Sequence, residues 1–539
     1  MKVYIILYSL LSFLNTYLKE GGVIRFFIKQ IKGGIFMSKN KQEKRVLSLL
    51  LTLVMVLGCF ASFAYAEDDQ LSLPEENLNV FSIEKITDEV KEDIDSEDLL
   101  EVLVYMKDQI DVEKVSYKAK SRLTSAVNPH QSKLKVRNAV IDALQDNAEM
   151  TQADIQTYLE QEMEKGNVIE FTPYHIVNII YVKAKKEVIG KLSYMPEVEK
   201  IYKNRTYTLD VPETNSEAEL SATGVEWNIE TVKADKVWDL GYDGTGIVVA
   251  TIDSGVKWDH PALKNKWRGY DPATGRTNSN GNWFDPVYNS SLPADSDSHG
   301  THVMGTMVGQ ESNGSNKIGV APGTKWIAAR VFNKYGSTTD KILLDAAQWM
   351  LAPGGDPKKA PDIINNSWGG GAGIDDWYRR AVINWRAAGI FPVFAAGNQR
   401  KGEPAPWPGS ISCPSNYPES FAVAATDRNN VRAYFSKLGP SPYDETLIKP
   451  NISAPGVNIR SSIPSGYGNS SGTSMAAPAI SGVAALLLSA NNSLSVEELE
   501  RIITSTAMPL TDATYPRSPN FGYGYGMVDA FKAVSSVVR

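Results

Sequence analysis

The sequence predicts two folding units in series. The first is a small two-layer α+β unit, and the second a doubly wound α/β domain whose mostly parallel sheet carries helices on both faces. Three observations point there. The chain has 539 residues, more than one ordinary domain holds. Between residues 99 and 210, short strand-like runs alternate with stretches of helical spacing. From Trp227 onward the apolar runs become continuous, with helical stretches between them, as strands of a parallel sheet covered on both faces require.

The elements follow in order. Residues 1–36 read as an extension ahead of the true start. Lys32-Gly33-Gly34 can be encoded by an AAAGGAGG-type run, which resembles a bacterial ribosome-binding site just before the Met37 codon. The alternative is a natural apolar extension. Residues 37–66 have the three parts of a secretory signal: a basic stretch ending Lys44-Arg45, an apolar run from Val46 to Leu57, and Ala64-Tyr65-Ala66 as a small-x-small cleavage site. Val56-Leu57-Gly58-Cys59 also approaches a lipoprotein box, although Leu57 fits that box poorly, so a membrane is expected as a partner only if Cys59 is lipidated. Residues 67–98 are acidic and poor in aromatics, and read as a loosely ordered lead-in.

Within the first unit, residues 99–215, strands are expected at 102–106, 176–182 and 198–202, and helices at 134–144, 153–163 and 186–194. Residues 210–217, polar and carrying Pro212, form a linker and a protease-accessible boundary. In the second unit, 216–539, buried strands are expected at 247–252, 326–332, 363–364, 391–395 and 421–425. Helices are expected at 340–351, after the cap candidates Ser337 and Thr338, at 375–388 before the C′ residue Gly389, and at 479–490.

Composition narrows the function. A formal net charge of −7, with lysines and arginines scattered, gives no basic stripe for nucleic acid. Apolar residues make up 42% and charged residues 22%, as in a soluble globular protein. Of the two cysteines, Cys59 lies in the segment expected to be removed, which leaves Cys413 unpaired. Stability must then come from a large core rather than from disulfides.

Three motifs carry chemistry. Asp253 ends an apolar strand and Gly255 turns the chain at once; alone, this is most often an Asp capping a turn. His299 and His302, two of only five histidines, stand in Asp297-Ser298-His299-Gly300-Thr301-His302-Val303. A zinc helix would favour His-x-x-x-His with a Glu, and that Glu is missing, so no metal ligand set is expected. Ser474, in Gly472-Thr473-Ser474-Met475-Ala476-Ala477-Pro478, falls at a helix N-terminus, where free N–H groups favour developing negative charge. A plain capping serine fits the same place. Together the three describe one chemistry: a hydroxyl nucleophile, an imidazole base, and a carboxylate that fixes the imidazole tautomer. Asn398, after the strand-like run ending in Ala395-Ala396-Gly397, supplies a candidate oxyanion donor, although Asn after Gly is commonly a turn residue.

These residues resemble the three signatures of the subtilisin-like serine proteases, the subtilases, and their chain order Asp, His, Ser matches as well. The resemblance spans Trp227 to Arg539. Asn365-Asn366-Ser367-Trp368-Gly369, Asn416-Tyr417-Pro418 and Ala454-Pro455-Gly456 are similar to one branch of the family. The resemblance implies that Asp253 orients the imidazole, His299 is the general base, Ser474 the nucleophile and Asn398 the oxyanion donor. It also implies that Ser367, Trp368 and Gly369 pair with substrate backbone, and that Ala395, Ala396 and Gly397 wall the primary specificity pocket. The floor, near residues 409–414, does not align cleanly. His302 is read as structural.

By the same resemblance the substrates are proteins or peptides, residues 99–215 are a propeptide that chaperones folding and inhibits from within the chain, and the product is secreted from a cell of Gram-positive type. The chemistry requires no cofactor. A structural calcium is left open: many members bind it through a carboxylate nine residues after the catalytic Asp, and here that position is Ala262. The loop 309–316 is rich in oxygen donors, as solvated turns commonly are. Three other classes make different demands on the sequence. A sedolisin-type acid peptidase would carry Glu in place of His299, and a dead protease serving as a binding module would lack a triad member. A tethered processing enzyme would require the lipid on Cys59.

Overall fold

The computed structural model describes residues 83–123, 128–209, 224–538 and the backbone of 214–215. The expected extension, the expected secretory signal with Cys59, residues 67–82 of the lead-in and most of the linker lie outside these residues.

The first unit comprises helix α1 (Asp88–Ser96), strand β1 (Leu99–Met106), α2 (Val112–Ser121), α3 (Pro129–Glu164), β2 (Val168–Tyr174), β3 (Ile179–Lys185), α4 (Lys186–Tyr194), β4 (Val198–Lys203) and β5 (Thr206–Thr208). Four strands make an antiparallel sheet in the order β2-β3-β1-β4. Because side chains alternate across a strand, β1 serves two cores. Val102 and Val104 pack with Val90 of α1, Ile155 and Leu159 of α3 and Leu192 of α4. Leu103 faces the other way, into a cluster shared with the second unit.

Several expectations are corrected. The lead-in is structured from Ile83: Ile86, Val90 and Ile94 are buried at fourfold spacing, which gives an acidic segment one apolar stripe. The two helices expected at 134–144 and 153–163 are one, α3. The stripe continues through Gln152, which is fully buried and donates to Tyr174 O at 2.9 Å and Asn178 Oδ1 at 2.7 Å. Residues 176–178 form a turn before β3, apolar because Ile176 and Val177 are buried in the shared cluster. Strand β2 was missed because an edge strand with only Val168 and Tyr174 buried shows no alternation.

After the two-residue strand β6 (Thr214–Asn215) come α5 (Trp227–Val232), α6 (Ala234–Asp239), β7 (Val248–Asp253), β8 (Trp283–Phe284), α7 (His299–Val308), β9 (Lys325–Arg330), β10 (Ser337–Thr339), α8 (Asp340–Leu351) and β11 (Ile363–Asn366). Then follow α9 (Arg379–Ala387), β12 (Phe391–Ala395), β13 (Phe421–Thr426), β14 (Ile452–Pro455), β15 (Ile459–Ile463), β16 (Gly466–Ser470), α10 (Thr473–Ala490), α11 (Val496–Ser505) and α12 (Ala530–Ser535). Seven strands form one parallel sheet, ordered β14-β13-β12-β11-β7-β9-β8. On one face Val249, Ile363, Val393 and Val423 pack with α7 and α10; on the other Ala250, Ile252, Ile364 and Phe394 pack with α8 and α9. Helix α10 is apolar and long enough to span a membrane, yet 89% of it lies inside the fold.

The cap of α8 is Thr339 rather than Ser337 or Thr338, since its hydroxyl accepts from Ile342 N. Helix α9 starts at Arg379 rather than 375, because Asp375 N and O are held outside a helix by the hydroxyls of Tyr443 and Tyr417. The order of the sheet reverses between β7 and β11: the chain goes from β7 to β9 on one side, then returns to β11 on the other. Ligands of such sheets bind beyond the strand ends at that point.

Candidate active site

Each functional side chain stands at the end of an element beside the reversal point. Asp253 is the last residue of β7, and its fully buried carboxylate accepts from His299 Nδ1 at 2.8 Å and from Ser254 N at 2.7 Å. A carboxylate only accepts, so Nδ1 carries the proton and Nε2 of the neutral ring is the basic nitrogen. Nε2 is buried, with no hydrogen-bond partner among the described residues. Burial alone would depress the pKa of His299. The charge of Asp253 and its hydrogen bond, with Asp297 and Asp295 further off, outweigh burial and raise it above the usual imidazole value.

His299 opens α7, and a residue that the sequence did not single out builds this helix start. Asp295 accepts from Ser254 Oγ at 2.8 Å, Ser298 N at 3.0 Å and Thr301 N at 2.8 Å, and also from the Thr301 hydroxyl. Ser254 Oγ in turn accepts from Gly300 N at 2.9 Å. Ser298 is held at φ 99°, a costly conformation for a residue with a Cβ. Gly300 is required by close approach: a Cβ there would fall 2.0 Å from Gly255 O. The acidic run before His299 was the signal available in the sequence.

Ser474 is the second residue of α10, so its N–H has no partner within the helix. Pro478 lies four residues on and has no N–H to give the Ser474 carbonyl. Ser367 Oγ donates to that carbonyl instead at 2.9 Å, and Ser474 Oγ donates back to Ser367 O at 3.1 Å. Behind Ser367 a buried chain continues through Asn365 (2.8 Å) to Ser481 (3.0 Å). The hydroxyl of Ser474 thus rests on Ser367 in this state.

Asn398 follows β12. Its Oδ1 accepts from Thr473 N and Thr473 Oγ1, both at 2.9 Å. A backbone N–H can only donate, so the amide orientation is fixed and Nδ2 is the donor left to point elsewhere. Ser367, Trp368 and Gly369 follow β11, Ala395 ends β12, and Ala396 and Gly397 follow it, with Ser367 bonded to Ser474 and Gly397 N donating to Thr473 Oγ1 at 3.2 Å. Trp368 turns its ring into the core against Tyr378 and Phe394, at 5.5 and 6.1 Å, leaving its backbone to the groove. His302 Nε2 donates to Ile459 O at 2.9 Å, and burial lowers its pKa to about 4, as suits a structural histidine. In the 309–316 loop, Glu311 is taken up by Ser315, Asn316 and Tyr467.

The subtilase family model matches residues 244–526. Bacillopeptidase F of Bacillus subtilis (strain 168) is 47% identical over 521 residues, 93% of this chain and 36% of that protein. The extracellular basic protease of Dichelobacter nodosus is 34% identical over 344 residues, 57% of this chain and 53% of that protein. Subtilisin DY of Bacillus licheniformis is 33% identical over 309 residues, 57% of this chain and 98% of that protein. The chain thus spans only about a third to a half of the first two relatives. With the matched family model covering the parallel sheet and all the motifs above, the chain belongs to the subtilase family of serine peptidases.

Proposed function

We propose that this chain is a secreted serine endopeptidase made as a self-processing precursor. The observation that carries the reading is the Asp253–His299 pair, 2.8 Å apart, with a serine on the N-terminus of α10, a helix packed in one core with the helix that His299 opens. In the reaction Ser474 turns from Ser367 to His299 Nε2, which takes its proton as the oxygen attacks the peptide carbonyl. The Ser474 N–H and Asn398 Nδ2 stabilise the oxyanion. Collapse passes the proton from His299 to the leaving amine and leaves an ester on Ser474. Water, deprotonated by the same imidazole, then releases the acid.

Secretion is supported by the signal-like residues 37–66 and by a relative named an extracellular protease. Residues 99–215 are read as propeptide and internal inhibitor, on the grounds of their position and of the interface they make with α8 and α9. The chemistry requires no cofactor, and no role in it is assigned to calcium. A sulfonyl fluoride should inactivate the secreted protein and label Ser474, Ser474→Ala should be inert, and a chelator should leave much of the activity. Labelling at another residue, or a chelated protein that only zinc restores, would overturn this mechanism.

A further inference from the structure

The strand that ends the first unit is held at its start by the second. In β5, Thr206 and Tyr207 pair with Thr339 and Thr338 of β10, and Asp340, the first residue of α8, takes up Arg205. Arg205 N donates to Asp340 Oδ2 at 2.9 Å, and Asp340 N donates to Arg205 O at 3.1 Å. The guanidinium is shared between two carboxylates: Nε donates to Asp340 Oδ2 at 3.4 Å and Nη1 to Asp375 Oδ2 at 2.7 Å. It also lies over the ring of Trp377, 6.0 Å from the ring centre, and Tyr207 stacks on the same indole at 6.3 Å. A planar fork meets two carboxylates and a ring face in one geometry, as the ammonium of a lysine does not.

Asp340, Asp375 and Trp377 all belong to the second unit. The side chain of Asp340 is fully buried, and burial lifts its pKa to about 7 against the pull of the Arg205 charge. The side chain of Asp375 is one-quarter exposed and forms the rim. Arg205 leaves with the first unit once the linker is cut, whereas the two carboxylates and the indole stay. They lie along the line of an extended chain. Strand β10 supplies one edge of that line, and Gly370, next to Ser367–Gly369, lies against the Tyr207 ring, a Cβ there falling 3.4 Å from Cε1. A strand replacing β5 would set one of its own side chains between Asp340 and Asp375. A neutral or acidic one would leave a buried carboxylate unpaired, and an arginine would restore both ion pairs.

We infer that Asp340, Asp375 and Trp377 form a remote subsite that selects an arginine in the substrate, four residues before the one that bonds Gly336 O. Leu209 fills that last place in the uncut chain. The inference rests on the self-processing peptidase reading above, and it gives the substrate class: extended segments with an arginine well ahead of the scissile bond.

The test expresses the full chain in a secreting host, recovers the active protein and counts active sites with a sulfonyl fluoride. Quenched fluorogenic peptides of residues 203–217, with Arg, Lys, Gln or Glu at position 205, are then compared. The Arg/Gln ratio of kcat/KM should be on the order of tenfold or more, with Lys between the two and Glu below Gln. In Asp375→Asn the ratio should fall severalfold while cleavage of the Gln peptide holds. The peptide series on the native protein needs no variant, so the test survives should Asp375→Asn fail to fold. A native ratio near one, or an unchanged ratio in Asp375→Asn, would overturn the subsite and leave Arg205 as an anchor of the first unit alone. So would failure to cut these peptides by a protein that still cuts casein. Failure to cut casein as well would instead remove the peptidase reading on which the inference stands.

Discussion

At the scale of single residues, the oxyanion donor and the base give the sharpest expectations. Asn398 is anchored through Oδ1 to Thr473, so its amide direction is preset. Asn398→Ala should lower kcat by roughly 10²–10³, or about 3–4 kcal/mol, with KM nearly unchanged, because the oxyanion exists only along the reaction path. A loss confined to KM would assign Asn398 to substrate binding. For His299 the sign is clear: the ring works only when neutral, and its pKa is raised, so kcat/KM should climb through a midpoint above the ordinary 6.5. Asp297 adds to that rise, and Asp297→Asn should move the midpoint down. An unmoved profile would show that Asp297 does not act on the base. The pairing of Asp253 with His299 and the place of Ser474 at a helix start were legible because each motif is local. Asp295 was not, since an Asp in a polar loop shows no helix cap until Ser254 and Thr301 are brought beside it.

At the scale of elements, what was legible was periodicity, and what was hidden was tertiary. The strands of the parallel sheet showed because burial on both faces makes them continuous apolar runs. The unity of α3 was concealed by Gln152, a polar residue whose partners lie on the β2–β3 turn. The start of α7 was concealed in the same way, because its cap comes from Asp295 rather than from Ser298. This gives a prediction about an element rather than a catalytic group. Asp295→Ala leaves Ser298 N, Thr301 N and Ser254 Oγ without their common acceptor, at a cost of about 2–4 kcal/mol. The melting temperature should fall by several degrees and kcat by more than tenfold, since His299 rides on that first turn. Asp295→Asn, which keeps one acceptor, should recover part of both. If melting fell while kcat held, the cap would support the fold without positioning the base.

At the scale of the whole molecule, the first unit lies on the face of the second that carries α8 and α9. Leu103, Ile176, Ile179 and Tyr181 share one buried cluster with Leu343, Leu344, Val382 and Trp385. Tyr174 donates to Asp345, and Arg137 donates to Ala388 O at 3.2 Å. From this platform the chain runs toward the catalytic serine. Thr206–Thr208 pairs antiparallel with Ser337–Thr339, and Leu209 N donates to Gly336 O at 2.7 Å. Beyond residues 210–213, Thr214 pairs with Ser470, four residues before Ser474. Strand addition next to a nucleophile is how an extended substrate would lie. The linker is therefore expected to be the first substrate, and the unit before it, once cut, a product that still binds by its platform. A bound unit stabilises what it binds and blocks the groove at the same time. In a host lacking other proteases, Ser474→Ala should accumulate with residues 67–210 still attached, while the native chain loses them. Sequencing the new N-terminus should put the first cut between Leu209 and Thr214, with any later trimming running toward Trp227. Ile176→Asp, which sets a charge in the shared cluster, should lower the yield of active protein and weaken inhibition by the cleaved unit together, because one surface serves both. Trimming of Ser474→Ala at the same place in that host would mean that a separate protease makes the cut.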